Sequence, residues 1–431
     1  MIIQGFILLI IFIFLFVVSY RNTRDLFSPI CFFSFFSILR YVPYLMLGKY
    51  EKLTFQHLDF NNTFVTFMYV LIATISVLVG YLLSKSVIKN RHIRFANREV
   101  IEKEYKTWHI VILYAIGIFA RIRIILFAGG IFSILYNRAE AYSSLDNGTG
   151  LLYLLANCVI ISCMIQLSNC IKAVQDKQRT KAIKRGIALF LMVAAYIISI
   201  VIFTSRSPIL ELIMFLVFGI NYLHKKIDIV KLFKLKYIAV IAFILAIIVI
   251  LPRIRISSYN EQKNDESLFW ELSDQFTLVG RDTFVYNYFS ENDFWYGKSY
   301  LGLFTAFIPS SIYEKKPSVD DGCYLSNMIY GYNVKPLEPG KDLTVKYSIP
   351  FSTNGLAYAN FGVLGIVFIN IIVGYLYGIY YFSMRNSKSV KKIILYELII
   401  YQLEITTLSI VQTLMPMIIC ILFFRFFAKE K

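Results

Sequence analysis

The sequence predicts an all-α polytopic membrane protein, with about eleven transmembrane helices and one large extracytoplasmic loop. Three observations carry that expectation. The 431-residue chain is 58% hydrophobic and only 16% charged, whereas soluble domains average about 45–50% apolar and about 25% charged. Apolar runs close to the roughly 20 residues of a spanning helix recur along the chain. Lys and Arg gather in alternate connections between those runs, the bias that sets helix orientation. The alternating strands of about 10 residues that mark a membrane barrel are absent.

The runs fall near 2–20, 26–47, 64–83, 108–128, 151–171, 186–203, 208–222, 237–251, 360–382, 393–409 and 411–427. The first lacks a basic n-region and a small-x-small cleavage site, so it is expected to stay as a spanning helix. The pair 208–222 and 237–251 is short. Gln412 to Pro416 interrupts the last run, where proline disfavours a continuous helix.

Basic connections contain Arg21 and Arg24, then Lys85 to Lys106, Lys172 to Arg185, Lys225 to Lys236 and Arg385 to Lys392. The connections beginning near Gly48, Gly129, Ser205, Pro252 and Ser409 are mixed or acidic. With the N-terminus outside and the C-terminus inside, every basic connection lies on the cytoplasmic side. The expected organisation is therefore helices one to eight in 1–251, the large outer loop in 252–359, and helices nine to eleven in 360–431. The net charge of +17 is then an orientation signal and not a nucleic-acid footprint. Five of the six cysteines lie in or beside apolar runs, and Cys323 is alone in the loop. No disulfide framework or zinc spacing is readable.

Candidate chemistry centres on cations at the outer edge. Arg206 lies in the turn Thr204-Ser205-Arg206-Ser207-Pro208. Ser207 suits an N-cap and Pro208 the first helical position, so a helix N-terminus beside Arg206 makes an anion site. A lone arginine reaching for lipid phosphate is the competing reading. Arg253 and Arg255 follow Pro252 at an outer edge, against the orientation rule; their guanidinium forks match the oxygens of a bound phosphate or pyrophosphate, or equally those of lipid headgroups. Arg281 lies deeper in the loop, beside Asp282. Asp282, Glu271 and Asp274 are candidate general bases by location. The pair Asp320-Asp321 reads as solvated, as do most loop lysines.

Arg121 and Arg123 fall in the fourth run, and Glu211, Glu397 and Glu404 fall in later ones. Ionisable residues at such depth are functional by default or pair within the bundle. Arg121 and Arg123, two apart, point to opposite sides, and the helix could end near Ala120 with 121–135 along the interface. Glu397 and Glu404 would share one helix face. The loop is dense in aromatics, including Trp270, Phe284, Tyr286, Phe289, Trp295 and Tyr300. These rings suit sugar platforms, an interfacial belt or a loop core equally well. Residues 300–312 are semi-apolar and too short to span, so they are expected to lie in the interface or re-enter. Walker A, GxSxG and HExxH sequences are absent, and the loop contains no histidine.

Three local patterns, in order, resemble the bacterial O-antigen polymerase (Wzy) family of oligosaccharide repeat-unit polymerases. They are Thr204-Ser205-Arg206-Ser207 opening a helix; Gly297-Lys298-Ser299-Tyr300-Leu301 followed by Ile308-Pro309 and Lys316-Pro317; and Gly355-Leu356-Ala357-Tyr358-Ala359-Asn360-Phe361-Gly362-Val363-Leu364-Gly365. The resemblance covers helices six to nine and the large loop. Many relatives carry Glu where this chain has Leu356.

The resemblance implies a GT-C-like, lipid-linked glycosyltransferase of the bacterial cytoplasmic membrane, independent of metal and nucleotide and without a cofactor. Its substrates would be undecaprenyl-pyrophosphate-linked glycans, with the active site on the extracytoplasmic face and a flippase and a chain-length regulator as working partners. The product would be O-antigen lipopolysaccharide, capsule or exopolysaccharide. Arg206, Arg253, Arg255, Arg281 and Asp282 are the expected catalytic residues. Trp295, Lys298, Tyr300, Lys316 and Tyr358 are the expected substrate-binding residues. An O-antigen ligase-like transferase and a lipid-linked oligosaccharide flippase stay as alternatives. Ligases place His in this loop, and transporters show internal repeats.

Overall fold

The computed structural model describes residues 2–47, 63–91, 104–136, 150–201, 207–224, 226–227, 273, 276–306, 308, 312–345, 348–385, 389–402 and 404–427. The helices are α1 (Ile2–Thr23), α2 (Pro29–Leu47), α3 (Thr63–Arg91), α4 (Thr107–Phe127), α5 (Gly130–Tyr136), α6 (Gly150–Ala156), α7 (Cys158–Gln175), α8 (Arg179–Val201) and α9 (Ser207–Gly219), which ends in a wide turn, Ile220–His224. After the large polar segment begins come α10 (Val279–Glu291), α11 (Gly302–Thr305), α12 (Asp321–Ile329), α13 (Thr353–Arg385), α14 (Val390–Tyr401) and α15 (Thr407–Phe426).

Among the described residues, eight helical stretches are long and apolar enough to cross a membrane, and Pro208–His224 is a shorter apolar one. The protein is a polytopic helical membrane protein. A helix satisfies its own backbone hydrogen bonds, which is what a segment in hydrocarbon requires. Outward faces of α1 and α8 carry Ile3, Ile10, Phe14, Phe190 and Leu191 exposed, as lipid-facing surfaces do. The eighth expected run, 237–251, lies outside the described residues.

Two boundaries differ from the sequence expectation. The last two helices part where α14 ends at Tyr401 and α15 begins at Thr407, and not near Pro416, which lies inside α15. Transmembrane helices tolerate such a proline when neighbours re-satisfy the freed backbone. The break also takes Glu404 off the helix of Glu397, so the two share no helical face. The ninth spanning helix starts at Thr353, so 353–359 are its first turns and not loop. Helix α4 ends at Phe127, as the fourth run, 108–128, predicts, and not at the alternative end near Ala120.

The chain forms two compact units. The first comprises Met1–Ala96, Asp265–Phe382 and Gln402–Thr413. Within it α1 packs along α2, and α10 packs on α2 and α3. Helices α3 and α13 cross at glycines. A Cβ at Gly80 would stand 2.8 Å from Tyr375 N, and one at Gly374 would stand 2.9 Å from Val77 Cα. At Gly378 it would meet the Ser84 side chain. Small residues four apart let two membrane helices bring their backbones together.

The aromatic loop residues are chiefly core. Phe284, Tyr286, Phe289, Trp295, Tyr324, Phe351 and Tyr358 form one buried cluster. Helix α13 is interrupted at Phe361 (φ −142°, ψ 17°) and Gly362 (φ 62°, ψ −148°). The break releases the carbonyls of Ala359 and Asn360, which accept from Trp295 N at 2.8 Å and Tyr296 N at 2.9 Å. That φ/ψ region belongs essentially to glycine. Gly362→Ala is expected to destabilise the first unit by about 1–3 kcal/mol, read as a lowered midpoint in detergent thermal unfolding. An unchanged midpoint would mean the break is not a constraint.

The second unit comprises Asn97–Asn264, Ser383–Tyr401 and Leu414–Lys431. Here α4 packs on α6 and α7, and α7 on α8. Gly117 sits where a Cβ would meet Val159 N at 2.7 Å. Arg121 is buried and donates to Tyr196 OH at 3.1 Å with its guanidinium over that ring, while Arg123 is exposed beside Phe127. The two arginines do point to opposite sides. At the entrance to α4, Glu104 pairs with Arg185 and with Lys181, the latter at 2.7 Å.

Candidate functional site

The densest polar group of the first unit lies at the N-terminal end of α13. Ser352 is its N-cap: Oγ accepts from Gly355 N at 2.7 Å, satisfying one of the four amides that every helix start leaves open. The same hydroxyl donates to Asp282 Oδ1 through a very short contact. Asp282 Oδ2 accepts from Tyr41 OH at 3.0 Å. Behind Tyr41, Asn354 Nδ2 donates to its hydroxyl at 3.4 Å, and Asn370 Nδ2 donates to Asn354 Oδ1 at 2.9 Å.

Beside this network lies an ion pair. Arg40 Nη1 stands 2.6 Å from Glu404 Oε1, with the side chains 12% and 22% exposed. The contact is an ion pair and not a well-aligned hydrogen bond, because Oε1 meets no donor in good geometry. Glu404 Oε2 accepts from Thr353 N, the first amide of α13, at 2.5 Å. Thr353 Oγ1 in turn accepts from Ile405 N at 2.7 Å. A carboxylate at a helix N-terminus is favoured by the macrodipole.

Local sequence explains the placement. Ser352-Thr353 are good N-terminal residues ahead of an apolar run. Helix α10 begins at Val279, where Leu278 N bonds to Arg40 O at 3.2 Å. That contact puts Asp282, on the first turn, against α2. Thr66 and Thr283 hydroxyls, 2.8 Å apart, fix the next turn against α3.

Asp282 is 1% exposed. Burial pushes its carboxyl up to about 7; the Glu404 charge adds to that, and the Ser352 and Tyr41 hydrogen bonds and Arg281 oppose it. Desolvation disfavours the charged carboxylate more than two hydroxyl donors restore it. Tyr286, one turn further along α10, is buried, and its hydroxyl meets no hydrogen-bond partner among the described residues.

Of the residues nominated from sequence, Arg281 and Asp282 belong to this site. Arg281 donates to Thr277 O at 2.8 Å and Pro350 O at 3.2 Å, tying the start of α10 to the approach to α13. Arg206, Arg253, Arg255, Glu271 and Asp274 lie outside the described residues. Trp295 and Tyr358 pack in the aromatic core. Lys298 is exposed and opens a tight turn, Lys298–Leu301. Lys316 Nζ donates to the carbonyls of Ala306 and Ile308 at 2.8 and 2.9 Å, holding the segment that follows α11. Leu301 before α11, Phe304 within it at 79%, and Ile312 after it are exposed.

The second and third sequence patterns meet. Asn360 Nδ2 donates to Ser299 Oγ at 2.8 Å, and Ser299 Oγ donates to Asn360 Oδ1 at 3.0 Å. Tyr300 stacks on Phe361 with ring centroids 6.4 Å apart. The acidic pair read as solvated is structural. Asp320 caps α12 through Gly322 N at 2.9 Å. Asp321 is 2% exposed and accepts from Thr407 N, the first amide of α15, at 3.0 Å.

Sequence reasoning missed Arg40, Tyr41, Ser352 and Asn354, and it placed Glu404 on the wrong element. A signal existed for Arg40, a single cation inside an apolar run. No group of three or more His, Cys, Asp or Glu side chains among the described residues could hold a metal ion. No protein-family model, curated protein or solved structure matches this chain.

Proposed function

We propose that the protein is a membrane glycosyltransferase that polymerises undecaprenyl-pyrophosphate-linked repeat units into a surface polysaccharide. The growing chain is transferred to a hydroxyl of a new lipid-linked unit, and undecaprenyl pyrophosphate leaves. The observation that carries the reading is the buried carboxyl–hydroxyl network of Asp282, Tyr41 and Ser352 beside an arginine–carboxylate pair, at the entry to the helix bearing the third sequence pattern.

The chemistry needs two things. The departing diphosphate gathers negative charge, which preorganised guanidinium groups and helix amides stabilise. The acceptor hydroxyl loses a proton. Asp282, poised near neutrality, receives it by way of Ser352 or Tyr41. Asp282 is thus a positioning and proton-holding residue, because its own oxygens are already occupied by those hydroxyls.

The test is in-vitro elongation of a defined lipid-linked repeat by purified protein. Arg281→Ala and Arg206→Ala should each reduce elongation by about tenfold or more, the loss expected when a charge-stabilising donor is removed. Single repeat units would accumulate. Wild-type protein that leaves the defined repeat unextended, while moving it between leaflets of a vesicle, would replace the polymerase reading with a transporter.

A further inference from the structure

We infer that the Arg40–Glu404 pair is a self-occupied anion site for a phosphate or diphosphate monoester, in which the Glu404 carboxylate stands where the ligand's oxygens bind. The inference deepens the proposed function and rests on it for the identity of the natural ligand.

The donor set is that of a phosphate site. Glu404 receives a guanidinium on one oxygen at 2.6 Å and the first backbone amide of α13 on the other at 2.5 Å. Arginine and a helix N-terminus together recognise phosphate by geometry and by dipole. A carboxylate offers the same two oxygens with less charge, so a diphosphate can compete for the guanidinium charge and for the helix amide. Glu404 is suited to leave. It lies in the short connection between α14 and α15, in no helix. The pair is also the reachable part of the cluster, with side chains 12% and 22% exposed, whereas Asp282 is 1% exposed.

Nearby charges fit an exchange. Asp282 feels the Glu404 charge, so withdrawal of Glu404 removes a repulsion from the Asp282 carboxyl, and an arriving diphosphate restores it. The Asp282 network is thereby coupled to whether the anion site holds its own carboxylate or a ligand. The Tyr377 hydroxyl donates to Gln402 O at 3.0 Å. That anchor holds the start of the connection while Glu404 itself moves.

The test uses full-length protein in nanodiscs of phosphatidylcholine, at constant ionic strength, titrated with inorganic pyrophosphate and separately with an undecaprenyl phosphate. Glu404→Gln keeps an acceptor for Thr353 N and removes the competing charge, so it should bind pyrophosphate about fivefold to tenfold more tightly than wild type. Arg40→Lys, which keeps charge but loses the fork, should bind several-fold more weakly. Equal or weaker binding by Glu404→Gln overturns the inference. Should that variant not fold, wild type against Arg40→Lys decides alone, and unchanged affinity overturns it. Pyrophosphate binding with these shifts but without elongation activity would keep the site and reject the polymerase. Elongation that is indifferent to both substitutions would keep the polymerase and reject the site. Affinity for the lipid phosphate with none for pyrophosphate would also overturn it, because the lipid chain would then be the determinant.

Discussion

Asp282→Asn will lower elongation by about a hundredfold or more, the usual contribution of a proton-accepting group. The substitution is nearly isosteric, and its amide oxygen can still accept from Tyr41 or Ser352. What it loses is the ability to hold a proton. In wild type the carboxyl is pushed up to about 7, first by burial and then by the Glu404 charge. Elongation should therefore rise with pH through about 7 as the carboxylate forms, and that limb should vanish in Asp282→Asn.

The stability sign runs opposite to the activity sign. The folded-state value lies above the ordinary 3.8, so the stability contributed by this group is full below about 3.8 and is lost as pH rises through about 7. Asp282→Asn removes that loss, so the thermal midpoint of the variant should fall less than that of wild type as pH rises from about 3.8 to about 7, while the variant is nearly inactive. Asp282→Ala, by contrast, orphans two buried hydroxyls at about 1–3 kcal/mol each. Elongation by Asp282→Asn at the wild-type rate, with the same pH limb, would remove Asp282 from the chemistry.

The second large effect is on assembly. Gly374→Val places a branched side chain where even a Cβ meets the backbone of Val77. Flexible side chains can turn aside, but the backbone of α3 cannot. The expected cost is about 3 kcal/mol or more, a large share of the roughly 5–15 kcal/mol that holds a typical protein folded. Because α13 also carries the Ser352 cap and the amide that Glu404 accepts, a shifted α13 would dismantle the site as well. The readout is monodispersity and thermal midpoint in detergent. Gly186→Ala on α8 is the control: its added methyl meets only Cys170 Sγ at 3.9 Å, so it should be neutral or gain up to about 1 kcal/mol of helix propensity. Wild-type behaviour of Gly374→Val would mean the two helices do not cross closely.

The readable and unreadable parts of the site divide along a physical line. Asp282 and Arg281 stood out because they are neighbours in a polar loop. Ser352-Thr353 carry a helix-start signal, but the long apolar stretch begins only several residues later, so hydropathy alone places the helix start too late. Pro416 predicts a break, yet α15 runs through it. The helix starts instead at Thr407, where Thr406 N is taken up by Ser409 Oγ at 2.7 Å and Thr407 N by Asp321. Proline removes one hydrogen bond, whereas side-chain caps can hold a helix end anywhere they reach. The aromatic loop residues fitted a sugar platform and a core equally well, and only the packing of Phe284, Phe289, Trp295, Tyr324 and Tyr358 into one cluster separated the two.

By itself the sequence determined the membrane class and the positions of most spanning helices. Hydrocarbon demands an unbroken apolar run whose backbone bonds close within the run, and such a demand is local and written in consecutive residues. Only the tertiary structure decided that Arg40, Asp282, Ser352 and Glu404 surround one helix N-terminus. Those residues come from four separate segments, and their meeting depends on glycine contacts and trapped polar partners. Such partners have no periodicity to read: a buried carboxyl is matched to whichever hydroxyl or guanidinium the packing brings within about 3 Å.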